Sequence, residues 1–245
     1  MAQQDVEWFS TWFDSPYYHI LYKDRDLQEA QLFMDRLLVY LHPKPDEKIL
    51  DLACGKGRHS VYLNHKGYNV TGLDLSEQSI AYAKQFENEQ LHFDVHDMRE
   101  VYKPEYFDFI LNLFTSFGYF DNETENVVAL QATAESLKHG GKLVIDFMNT
   151  DKIIEHLVAE EEKEVQGLRF RITRKLENDF IVKTIRFNDG GEEYHFEERV
   201  RALREEDFME YFRMTHLRLV EVFGDYHLSP YDPEESDRMI FVLKK

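Results

Sequence analysis

Carboxylates set at the ends of apolar runs carry most of the chemistry open to this chain. The stretch Ile49-Leu50-Asp51-Leu52-Ala53-Cys54-Gly55-Lys56-Gly57-Arg58-His59 puts an acid, two glycines and a cation into one turn, and Val70-Thr71-Gly72-Leu73-Asp74-Leu75 ends a second apolar run on another acid. Asp74, seventeen positions after Gly57, is placed to take both hydroxyls of a ribose, as nucleotide-binding α/β sheets do with an acid roughly 20 residues past their glycine turn. Gly55 and Gly57 let the chain turn sharply and approach a ligand with no Cβ in the way. Backbone N–H groups opening the next helix then face an anionic group, which the helix dipole favours. The expected ligand is nucleoside-bearing.

Two ligand chemistries diverge at this turn. A dinucleotide fingerprint wants a third glycine at position 60, where the chain has Ser60, and has no use for Asp51 inside the turn. A sulfonium nucleoside carries an ammonium at its methionyl end and a ribose at the other, and Asp51 and Asp74 answer both. Arg58 is either a solvated helix start or a bidentate partner for the methionyl carboxylate.

On these residues the chain resembles the class I S-adenosylmethionine-dependent methyltransferases, whose turn usually reads Asp/Glu-x-Gly-x-Gly-x-Gly. Asp51, Gly55 and Gly57 match, and Ala53 stands where the first glycine is usual. His92-Phe93-Asp94-Val95-His96-Asp97-Met98 looks like the third-strand region, and Phe107-Asp108-Phe109-Ile110-Leu111-Asn112-Leu113-Phe114 like the fourth strand and its exit. The resemblance implies S-adenosylmethionine as cofactor, with contacts at Asp51, Ala53, Gly55, Gly57, Arg58, Asp74, Leu75, Asp97, Met98 and Asn112. It also implies an aromatic amino-terminal cover in which Tyr18 and Tyr22 lie over the cofactor, although an aromatic stripe is more often packing. The fourth-strand exit lacks the Asn/Asp-Pro-Pro-Tyr pattern of enzymes that methylate exocyclic base amines.

Methyl transfer from a sulfonium needs alignment and exclusion of water more than a fixed catalytic set. A base is required only where the acceptor holds its proton. His19, Tyr119, His227 and Tyr231 are candidates, each also readable as a hydrogen-bonded, half-buried aromatic. His227 is preferred, because its loop is expected to leave the ligand edge of the sheet.

The elements that must position these groups alternate. A helix over 27–41, strands near 48–53, 68–73, 91–94, 107–112 and 142–147, and helices over 58–65, 76–86 and 123–138 specify a doubly wound, mostly parallel Rossmann-like α/β sheet. Strands at 217–223 and 238–243 complete seven. Between them a short helix-like piece at 151–160 and two strand-like stretches, 168–187 and 192–203, joined by Asn188-Asp189-Gly190-Gly191, read as an antiparallel β insertion after strand 5. The whole chain, 1–245, is expected to be one domain: a helical cover over 1–42, a cofactor-binding core over 43–150, the insertion over 151–204 and the last core strands over 205–245. The insertion is equally readable as a substrate lid or a dimerising flap.

With 47 acids against 29 Lys+Arg the formal charge is −18, a field that repels phosphate backbones and anionic membranes. Neither nucleic acid nor membrane is therefore an expected partner. Arg169, Arg171, Arg174 and Lys175 form the most basic stretch, in an alternation suited to the solvent face of a strand. One cysteine excludes an internal disulfide and a thiolate metal cluster, and Cys54 reads as a small buried apolar residue. Gln3, Gln4, Asp5 and Glu7 do not suit a signal peptide, and no apolar run approaches the ~20 residues of a membrane helix. The expectation is a cytoplasmic enzyme without metal, methylating a small-molecule acceptor. Protein methylation, noncatalytic cofactor binding and nicotinamide-dependent reduction are the competing readings.

Overall fold

In the computed structural model, residues 8–23 and 27–245 are described. Gln3, Gln4, Asp5 and Glu7 lie outside them. In chain order the elements are α1 (Trp8–Phe13), α2 (Pro16–Leu21), α3 (Leu27–Leu41), β1 (Lys48–Leu52), α4 (Arg58–His65), β2 (Asn69–Asp74), α5 (Glu77–Ala83), β3 (Leu91–Val95), β4 (Phe107–Asn112), α6 (Glu123–Ser136), β5 (Leu137–Met148), α7 (Thr150–Glu155), β6 (Glu160–Val165), β7 (Leu168–Glu177), β8 (Phe180–Asp189), β9 (Glu192–Arg201), α8 (Glu205–Met214), β10 (Arg218–Phe223) and β11 (Arg238–Lys244).

Seven strands form one sheet in the order β10-β11-β5-β4-β1-β2-β3. β1 pairs in parallel with both β2 and β4, β2 with β3 and β4 with β5, whereas β11 is antiparallel to β5 and to β10. Strand order reverses between β1 and β4, so their carboxyl ends open a crevice, the usual ligand site of an open α/β sheet. Central strands are buried along nearly their whole length, and each face of the sheet carries its own apolar cluster. That double burial explains the continuous apolar runs seen in the sequence.

Three boundaries differ from expectation. The helix expected over 123–138 ends at Ser136, because Leu137 is fully buried and pairs with Phe107 to begin β5. Gly140, at φ 84°, then turns the chain within β5 rather than stopping a helix. The stretch 168–187 is two strands, since Asn178 and Asp179 take left-handed angles of 49° and 60° and close a two-residue hairpin between Glu177 and Phe180; Asn and Asp tolerate that region. Residue 160 is strand and not helix. The acids of β6 pair across to β7, Glu162 to Arg171 at 3.3 Å and Glu161 to Arg174 at 2.7 Å, so the basic stretch is answered by its neighbour.

The insertion is thus a four-stranded antiparallel sheet, β6-β7-β8-β9. One face packs on the amino-terminal helices through a third apolar cluster of Trp12, Leu21, Val165, Phe170, Ile172, Ile185 and Phe187. Cover and insertion therefore form one packed layer. Among the described residues no helix is long and apolar enough to cross a membrane.

Candidate active site

A cavity of about 720 Å³ opens over the carboxyl ends of β1, β2 and β4. Its nucleotide end is built from the β1 and β2 exits. Asp51, 4 % exposed, accepts a hydrogen bond from Ser60 Oγ at 2.6 Å. Burial pushes its carboxyl up to about 6, Ser60 offsets part of that, and no salt bridge reaches it among the described residues. Arg58 is near enough to lower it by charge without forming a salt bridge, so the buried carboxylate keeps room for an ammonium. Asp74 accepts from the Gly55 N–H at 2.7 Å and the Ser76 N–H at 2.9 Å, one bond per oxygen, which leaves lone pairs on both. Burial raises its carboxyl as well.

The two glycines have different reasons. A Cβ on Gly55, at φ 55°, would meet nothing within 4 Å, so its face is open to the cavity, as a cradle for a ligand must be. A Cβ on Gly57 would lie 2.5 Å from Phe93 Cε1, so that glycine serves the packing of α4 on the sheet and does not line the cavity. Ala53 lines the cavity at φ 63°, the left-handed angle that a glycine takes without strain.

The roof comes from α1, α2 and the inserted sheet. Tyr18 and Tyr22 line it, with ring centroids 4.9 Å apart. Tyr22 Oη donates to Glu198 Oε1 at 2.6 Å and Trp12 Nε1 to the same oxygen at 2.7 Å, which fastens the cover to β9. Lys183 lies 3.5 Å from Glu198 and also reaches Tyr22 Oη. Asp14, between the two helices, accepts from Ser76 Oγ. Trp8, Phe9 and Tyr119 pack edge to face or tilted at the far end, with centroids 5.4 to 6.2 Å apart.

Residues 49–141 match the family described as a methyltransferase domain. The chain is 28 % identical over 209 residues to YqeM of Bacillus subtilis, named as a methyltransferase, across 81 % of this chain and 84 % of that one. Residues 49–141 thus carry a methyltransferase domain, and the chain is similar over most of its length to methyltransferases. Its fold is shared with an S-adenosylmethionine-dependent methyltransferase from Clostridium acetobutylicum, at TM-score 0.78 and 21 % identity, covering 93 % of this chain and 95 % of that one. It is shared too with CalS10, an amino pentose methyltransferase from Micromonospora echinaspora solved with S-adenosylmethionine bound, at TM-score 0.69 and 19 % identity over 94 % and 97 %.

Other residues singled out in the sequence fall in and around this cavity. Arg58, Leu75, Asp97 and Met98 line it. Asp97 is gripped by Arg99 through Nε and Nη2, the latter at 2.6 Å; burial would raise its carboxyl, but these bonds hold it below the ordinary value. Cys54 is buried and its thiol pushed well up by burial, an inert residue.

Besides Gly57, two expectations are corrected. Asn112 is 2 % exposed and does not line the cavity; its Nδ2 donates to Leu52 O at 3.3 Å and Ser116 O at 3.4 Å, tying β4 to β1 beneath the floor. His227 is exposed and outside the cavity. Its loop does leave the ligand edge, but Asp225 accepts from the His227 and Ser229 N–H groups, and this tight turn sends Tyr226 inward against Phe33 and Phe114 while His227 points away. Tyr226 and Tyr231 do not line the cavity either. Of the four candidate bases, His19 and Tyr119 do. Burial, with Lys56 nearby, lowers His19 to about 4, so it is neutral at pH 7.

Several lining residues carried no signal in the sequence. Glu198, Val200 and Ile153 belong to the insertion, whose alternation gave faces but not targets. Arg238 opens a core strand and reads as an edge cation; only its buried partner, Asp146, marks it.

Proposed function

We propose that this enzyme methylates a small-molecule acceptor by in-line displacement, with both reactants held in the roofed cavity. The observation that carries the reading is the roof itself. A cavity of about 720 Å³, walled by aromatic side chains and covered by α1, α2 and β9, falls in the range of ~300–1,000 Å³ typical of small-molecule sites. A protein side chain or a base within a duplex needs an open groove instead. The solved fold relative CalS10, named as an amino pentose methyltransferase, supports a small acceptor of the amine class.

When bound, S-adenosylmethionine supplies a methyl group on a sulfonium, a leaving group that needs alignment rather than activation. Asp51 takes the methionyl ammonium, and Asp74 the ribose hydroxyls through the lone pairs that Gly55 and Ser76 leave free. Leu75 and Met98 would hold the base, with Asp97, whose rotamer Arg99 fixes, as its hydrogen-bond acceptor. Tyr18 and Tyr22 would favour the positive sulfur by cation–π attraction. The aromatic roof excludes water, which would otherwise compete as an acceptor. His19, neutral at pH 7, is one cavity group able to accept a hydrogen bond from an acceptor N–H or O–H.

Calorimetric titration tests the cofactor assignment: heat with S-adenosylhomocysteine and none with NAD is expected, and the reverse would overturn it. Transfer of labelled methyl to the small-molecule fraction of a metabolite extract tests the acceptor class. Label recovered only in protein would refute it.

A further inference from the structure

At the opposite end of the cavity from the nucleotide acids lies a buried ion pair with one hand free. Asp146 on β5 is 0 % exposed and Arg238, at the start of β11, is 17 % exposed. Arg238 Nε donates to Asp146 Oδ1 at 2.7 Å, Nη2 lies 2.7 Å from the same oxygen as an ion-pair contact, and Nη2 donates to Thr115 Oγ1 at 2.9 Å. Arg238 Nη1 has no hydrogen-bond partner among the described residues, and it is not among the sealed buried atoms lacking one. Arg238 and Thr115 line the cavity; the other face of the guanidinium lies over the Tyr226 ring at 5.4 Å, so Nη1 is the donor of this group left for a ligand.

The chain around the pair is held under strain. Phe114 and Thr115 take left-handed angles of 58° and 59° in succession, a conformation costly for side chains of this kind. Asp146 imposes it: its Oδ2 accepts the Phe114 N–H at 2.7 Å, and its backbone carbonyl accepts the Thr115 N–H at 3.0 Å. A pair serving only to lock β11 to β5 would need neither the strained turn nor an outward guanidinium nitrogen.

We propose that Arg238 and Thr115 form the subsite for an anionic group of the acceptor, a carboxylate or a phosphate. Arg238 Nη1 donates to the anion, and the Thr115 hydroxyl, whose oxygen already accepts from Nη2, turns its own proton to the same anion. Asp146 aims the guanidinium. β11 stands three strands from β1, about 14 Å at about 4.8 Å per strand, too far for this anion to be part of the ribose end. The acceptor is thereby anchored by its charge, with its nucleophile toward the methyl group. This assignment rests on the cofactor reading above, since that reading leaves this end of the cavity to the acceptor.

The test uses the full chain saturated with S-adenosylhomocysteine, with acetate and inorganic phosphate as probes. Each is titrated at ionic strength balanced with chloride while the fluorescence of Trp8, which lines the cavity, and of Trp12 is followed. A saturable response to acetate identifies a carboxylate acceptor, and one to phosphate a phosphorylated acceptor. Arg238→Gln alone strands Asp146, so Arg238→Gln/Asp146→Asn keeps a neutral hydrogen-bonded pair. That double variant should bind the responding anion at least about tenfold more weakly, the loss of a charge-assisted hydrogen bond, with its affinity for S-adenosylhomocysteine kept. No saturable response to either anion in the unaltered protein, or an equal one in the double variant, overturns the subsite. If S-adenosylhomocysteine itself fails to bind, the cofactor reading has failed, and the same titrations on the ligand-free protein still decide the subsite.

Discussion

Ser60 offers the sharpest probe of how the ammonium end works. Its hydroxyl donates to buried Asp51 at 2.6 Å and is itself fully buried. Asp51 stands at about 6 with that bond in place, and a hydrogen bond to a charged group is worth about 1.5–3 kcal/mol, or at least about one pH unit. Ser60→Ala should therefore lift Asp51 to about 7 or above. Only the ionised form attracts the ligand's ammonium, so affinity falls as pH drops below the carboxyl's own value. At pH 6 the unaltered protein has about half its Asp51 ionised and the variant about a tenth, a loss of roughly fivefold in affinity; the two should converge above about pH 8. Calorimetric titration with S-adenosylhomocysteine from pH 5 to pH 8 reads both curves. Parallel curves separated by the same factor at every pH would mean that Ser60 acts by shape alone, and a flat curve for the unaltered protein would remove Asp51 from ammonium recognition.

The same carboxyl affects folding with the opposite sign. Because burial raises Asp51 from 3.8 to about 6, the folded ligand-free chain binds the extra proton, and that contribution to stability is full below pH 3.8 and lost as pH rises through about 6. Asp51→Asn should then stabilise the ligand-free protein above pH 6, by about 3 kcal/mol at most, while weakening cofactor binding; a lower melting temperature at pH 7.5 would contradict this. Ala53→Gly relieves a left-handed alanine at φ 63° and should raise stability by about 1 kcal/mol, read as a higher denaturant midpoint, with a lower one counting against the strain. Gly57→Ala forces a Cβ to within 2.5 Å of Phe93 and should cost about 1–3 kcal/mol, partly recovered by adding Phe93→Leu; a neutral Gly57→Ala would show that the helix shifts freely.

The sheet was legible because its strands are buried on both faces and separated by capped helices, which leaves a pattern that single residues cannot hide. Asp51 and Asp74 were legible for a related reason, since an acid ending an apolar run has little structural purpose. Asp74 nevertheless does more than the sequence implied. By accepting from Gly55 and Ser76 it also holds the turn, so Asp74→Ala disturbs geometry as well as affinity. The cavity wall away from these acids was hidden, because it is assembled from segments far apart in the chain: Thr115, Arg238 and Glu198 come to line one cavity only through the fold. His227 was misplaced because a loop's exit edge says nothing about which of its side chains turn inward, and here Asp225 decides that. The extra turn at Asn178-Asp179 was present in the sequence as a dipeptide suited to left-handed angles. Next to Asp189-Gly190, a stronger hairpin signal, it passed as part of one long strand.

Helix α1 divides its side chains between two interiors. Phe9 belongs to the apolar cluster of the main sheet, whereas Trp12, one turn later, belongs to the cluster under the inserted sheet and reaches Glu198. A helix riveted into both bodies cannot shift in one without disturbing the other. The cofactor end, where Asp14 of the same segment meets Ser76, is thus mechanically joined to the roof over the acceptor. Occupying either end should therefore stiffen the other by the same coupling free energy, carried through a six-residue helix.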